Sequence, residues 1–88
     1  MASSEISSGT DARHLGSKAT NALLRLGMKH AVDTTTSEDR IEAHKWFNIA
    51  AMRGDENAAR LRREIAGEML PAEIALAQRA AREWITLR

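Results

Sequence analysis

Between residues 39 and 58 the chain reads DRIEAHKWFNIAAMRGDENA, and this stretch limits the available folds more than any other. Ala43, Trp46, Phe47, Ala50 and Gly54 recur at steps of three and four, the period of one helix face, with Ile41, Ile49 and Met52 beside them. Gly54 stands where that helix should close in the left-handed conformation, and Asp55 follows as a ready N-cap. A helix, a turn of two or three residues and a returning helix is the pattern of an αα-hairpin. Trp46 and Phe47 lie on the patterned face and are assigned to packing, not to a ligand-stacking site.

The remaining segments read as partners for this helix. Ala12, Leu15, Ala19, Ala22, Leu23 and Leu26 define the apolar face of a preceding helix over 11–31, opened by the weak capping box Ser8-x-x-Asp11. Gly16 costs that helix about 1 kcal/mol relative to alanine, so its first turns are expected to fray. Residues 32–37, VDTTTS, form a loop in which Thr36 or Ser37 caps the central helix at 38–53. Glu38 and Asp39 then sit in the first turn, where the helix macrodipole favours anions. A third helix at 56–69 buries Ala58, Leu61, Ile65 and Met69. Pro71 opens a fourth at 71–87, with Ile74, Ala77, Ala81, Trp84 and Ile85 inward.

With 88 residues, three aromatic side chains and many alanines, the expectation is one all-α domain of close-packed helical hairpins over 11–88. Residues 1–10, rich in serine, are expected to be a disordered tail. Thirteen basic against twelve acidic residues give a net charge of +1, which is not the footprint of a dedicated nucleic-acid binder. The chain has no cysteine, which excludes disulfides and thiolate metal sites. His14, His30 and His44 lack the spacing of a helical zinc site and read as surface or boundary residues. No apolar run approaches the ~20 residues of a membrane span and no secretory signal opens the chain, so the expected location is cytoplasmic. Neither a cofactor motif nor a set of nucleophile, base and charge stabiliser is present, and no enzyme is expected.

Ala22-x-x-x-Leu26-Gly27, followed by Asp39-x-x-x-Ala43-x-x-Trp46-Phe47-x-x-Ala50-Ala51-x-x-Gly54-x-x-x-Ala58, resembles the Sel1-like repeat, a relative of the tetratricopeptide repeat. In place of the family's usual tyrosine this chain has His30, and in place of its glycine-rich turn it has residues 32–37. Arg62 and Arg63 stand where a second repeat would carry Leu-Gly, so the third and fourth helices read as a divergent cap. The resemblance implies a protein–protein adaptor or scaffold, in bacterial signalling or assembly. It also implies a binding surface on the first helix of the unit, which would use Asn21, Arg25 and Lys29 with His30 at the rim. Trp84 is either a seal of the cap helix or an anchor for another chain. Two further readings are a homo-oligomer that completes its core with a second copy, and, from the C-terminal arginines, a small nucleic-acid-binding regulator.

Overall fold

The computed structural model describes residues 18–87, and among these the chain is all-α, built from antiparallel helical hairpins with no strand. Helix α1 is described over 18–31, α2 spans Ser37–Met52, α3 Glu56–Ala66 and α4 Pro71–Thr86. The expected tail, the capping box at Ser8, the start of α1 and the positions Ala12, Leu15 and His14 lie outside the described residues.

The ends of the helices follow from local chemistry. Thr36, in extended conformation, accepts the Asp39 N–H on its hydroxyl at 3.1 Å and caps α2. At the other end Gly54 takes a φ of +99°; its N–H donates to the Ala51 carbonyl at 2.9 Å, and that of Asp55 to the Ala50 carbonyl at 3.2 Å. This pair of bonds is the Schellman closure, which satisfies two carbonyls that the helix would leave bare. Asp55 then caps α3, its carboxylate accepting the Ala58 N–H at 3.0 Å.

α3 ends at Ala66, three residues short of the expected 69. Gly67, Glu68 and Met69 wind on through i→i−3 bonds to Glu64, Ile65 and Ala66. Leu70 becomes extended, with ψ 151°, because the ring of the following proline excludes the helical region there. Pro71 is the first residue of α4, where its missing N–H is no loss.

α2 is the central element. Ala43, His44, Phe47, Ile49 and Ala50 are buried, a set too wide for a one-sided amphipathic helix, because α2 is covered by more than one neighbour. Ala43 and Phe47 join Ile65, Met69 and Ala77 in one cluster, with Leu24 and Ala31 of α1 against it. Ile49 and Ala50 join Leu23, Ala58 and Ala81 in another, flanked by Trp46, Ala51 and Trp84. Phe47 is only 1% exposed, a burial that contributes roughly 1.5–3 kcal/mol. His30 meets Asp39 near the start of α2, whereas Gly27 meets Phe47 further along it, so α1 runs antiparallel to α2. α4 runs parallel to α2, since Glu73 meets Arg40 and Trp84 meets Trp46.

Several expected positions are corrected. In α1 the buried residues are Thr20, Leu23 and Gly27, while Ala19, Ala22 and Leu26 are exposed. At 3.6 residues per turn this turns the inward face by roughly a quarter-turn from the expected one. The reason is shape: only a residue without a side chain admits the Phe47 ring, so Gly27, and not the more apolar Leu26, faces α2. Met52 and Ile85, expected beside or within the core, are exposed, the first beside the Gly54 turn and the second at the end of α4. His44, expected at the surface or boundary, is 3% exposed. The face expected for α3, with Ala58, Leu61, Ile65 and Met69, is the one observed.

Candidate interaction surface

Three groups of side chains could carry function. The first is the outer face of α1. Asn21, Arg25 and Lys29 are all exposed, and the helical period sets them on one side together with Lys18 and Ala22. Residues 18–31 contain no aspartate or glutamate, so this face offers cations without the interspersed acids of the other helices. Arg60–Glu64 at 3.0 Å and Arg79–Glu83 at 3.7 Å show that mixed pattern on α3 and α4. His30 is not part of the free face: it is half-buried, and its Nδ1 lies 3.1 Å from Asp39 Oδ1. Asp39 also accepts the Thr36 hydroxyl at 2.9 Å. These two contacts, the histidine first, lower the Asp39 pKa from its ordinary value.

The second group is a pair of tryptophans. Trp46 and Trp84 meet edge to face, with ring centroids 5.5 Å apart and planes at 81°. Trp46 Nε1 donates to Glu42 Oε1 at 3.1 Å, and Lys45 Nζ stands 4.3 Å from the Trp46 ring centroid while pairing with Glu42 at 3.4 Å. Both rings are half-buried. Trp84, a candidate anchor from the sequence, therefore joins α4 to α2, and it also packs against the cluster that contains Leu23 of α1.

The third group is polar and ties the α1–α2 loop to the start of α4. Glu73 is 6% exposed and accepts from Arg40 Nη2 at 2.7 Å and Nε at 3.2 Å, from the Ser37 hydroxyl at 2.6 Å and from the Leu70 N–H at 2.9 Å. Arg40 also donates to the Thr34 carbonyl at 2.8 Å. The arginine beside it, then the serine and the backbone N–H, hold the Glu73 carboxyl down at about 2. Sequence reading missed this residue. Its one signal was the position, three residues after Leu70, where a glutamate can reach back to the first backbone N–H of a helix.

Near this clasp, Ala31, Thr34, Phe47, Leu61, Glu64, Ile65 and Glu68 line a cavity of about 220 Å³. On α2, the Nδ1 of buried His44 has no hydrogen-bond partner among the described residues. Burial, followed by the charge of Arg62, pushes the His44 pKa down. Arg62 itself donates to Asn48 at 2.7 Å.

The residues that carry the resemblance divide by role. Gly27, Ala43, Phe47, Ala50 and Ala58 are buried, Trp46 and Ala51 are half-buried, and Leu26 and Gly54 are exposed, the latter in the turn that it closes. No group of three or more His, Asp or Glu among the described residues is placed to hold a metal ion. No helix among them is long and apolar enough to cross a membrane. The chain matches no family model, no curated protein and no solved structure.

Proposed function

We propose that this chain is a small non-catalytic adaptor for protein–protein interaction, built on a Sel1-like unit and working in bacterial signalling or assembly in the cytoplasm. The observation that carries this reading is the outer face of α1: Asn21, Arg25 and Lys29 are exposed together on a helix without a carboxylate among its described residues. The conspicuous side chains of α2 are occupied in packing, Phe47 against Gly27 and Trp46 against Trp84, so they are not offered to a partner as the α1 face is. Two stacked hairpins supply the rigid support on which such a face keeps its shape.

The test is affinity capture from the native cell with the wild-type chain and with N21A/R25E/K29E. The variant is expected to keep the wild-type melting temperature, because surface changes of this kind shift stability by only about 0.5 kcal/mol, and to lose the captured protein. Capture of the same proteins by both would refute the placement on α1. A homo-oligomer is the alternative favoured by the exposed Ala19, Ala22 and Leu26, and light scattering decides between a monomer and a dimer. Retardation of a duplex at low salt, abolished as salt rises, would instead favour the nucleic-acid reading.

A further inference from the structure

We infer that the cavity between α1, α2 and α3 is a receptor for a single lysine or arginine side chain presented by a partner protein. This rests on the adaptor reading above and names what one point of the partner must carry. Its size sets the class of occupant. At about 220 Å³ it falls below the roughly 300–1,000 Å³ of small-molecule pockets, and suits one side chain. The inner wall is apolar, formed by buried Phe47 and Ile65 with half-buried Leu61. The outer wall is anionic: Glu64 and Glu68, one helical turn apart, are both exposed and both line the opening.

Two helix ends add to that charge. Ala31, the last residue of α1, lines the cavity, and α3 finishes at Ala66, between the lining residues Ile65 and Glu68. The carbonyl ends of both helices carry the negative pole of their macrodipoles, which favours a cation at the same place as the carboxylates. Among the described residues no basic side chain lines the cavity. The Thr34 hydroxyl donates to Glu68 at 2.8 Å and holds that carboxylate in position at the mouth. Glu64 is held by Arg60 at 3.0 Å, an exposed pair that an incoming cation displaces at little cost.

An apolar wall under an anionic mouth is the complement of a side chain with an alkyl stem and a charged head. A purely apolar group would leave the carboxylates unused. An acidic one would meet Glu64 and Glu68, whose charges Arg60 and the nearby Arg40 offset only from outside the lining.

The proposal is tested by titrating the isotopically labelled chain with short blocked alanine peptides whose central residue is lysine, arginine, norleucine or glutamate. Norleucine keeps the stem and removes the charge. The lysine and arginine peptides are expected to give saturable shifts at the amides of Ala31, Thr34 and Glu68 in the millimolar range. Norleucine should bind about tenfold more weakly, and glutamate should not bind. E64Q/E68Q, at exposed positions that leave the core intact, should weaken the lysine peptide by about tenfold. Absence of saturable shifts, equal binding of norleucine and lysine, or an unchanged affinity in E64Q/E68Q would each overturn it. If the peptides behave as expected but N21A/R25E/K29E still captures every protein, the α1 reading fails and the cavity stands. Loss of capture with a cavity inert to peptide gives the reverse.

Discussion

The ring of Phe47 lies so close to the backbone of α1 that a β-carbon at Gly27 would stand 2.5 Å from both its Cδ1 and its Cε1. That distance is shorter than real side-chain contacts allow, so a side chain added there would force the buried ring or the backbone of α1 to shift. The absence of a side chain at Gly27 therefore sets both the approach of the two helices and the face that α1 turns inward.

G27A should accordingly destabilise the fold by about 1–3 kcal/mol, the cost of overpacking at this buried contact, although alanine is the better helix former. Urea denaturation followed by circular dichroism measures it. A variant as stable as wild type would show that α1 and α2 are not locked at this point.

G54A should also destabilise, through a different cause. Nothing lies within 4 Å of a β-carbon there, so space is not at issue; the backbone φ of +99° is. The left-handed conformation costs a non-glycine residue about 1–2 kcal/mol. G54N, which tolerates that region better, should recover part of the loss in the same unfolding assay.

The Trp46–Trp84 contact should appear as a coupling energy. In a double-mutant cycle of W46A, W84A and the double variant, edge-to-face geometry predicts that the double variant loses about 0.5–1.5 kcal/mol less than the sum of the single losses. Additive losses would mean that each ring acts only through its own burial.

Acid should weaken the fold in two windows. His44 has its folded pKa below the ordinary 6.5, so the unfolded chain takes up this proton first and stability falls as pH drops below about 6.5. Glu73 is held at about 2 against an ordinary 4.5; its contribution is complete above 4.5 and lost as pH falls toward 2. Asp39, lowered from 3.8, adds to the second window. Chemical denaturation across pH should show H44L without the upper decline. E73Q should be weaker than wild type at neutral pH and converge on it near the acid limit.

Helix existence and most boundaries were legible in the residues because the deciding interactions are local. Thr36, Gly54, Asp55 and Pro71 act on backbone groups within a few residues, and each does so here in the role its chemistry implies. The end of α3 was less legible, since the i→i−3 winding over Gly67, Glu68 and Met69 is a compromise between continuing the helix and presenting Leu70 extended before proline.

Of the residues that the resemblance pointed to, Asn21, Arg25 and Lys29 are exposed, whereas His30 and Trp84 make contacts within the fold. Buried Glu73 and His44 could not be read from hydropathy. Glu73 lies inside because Arg40, Ser37 and the Leu70 N–H satisfy its charge, and those groups meet only when the start of α2 reaches the start of α4.

The sequence by itself thus determined that this chain is helical, where its hairpins turn and which residues cap them, because these depend on short-range hydrogen bonding and backbone sterics. Only the tertiary structure decided which face of α1 points inward, that a carboxylate and an imidazole are enclosed, and that two helix ends and two glutamates converge on one cavity. Those outcomes depend on shape and charge matched between segments distant in the chain, and hydropathy along a single helix carries no record of them.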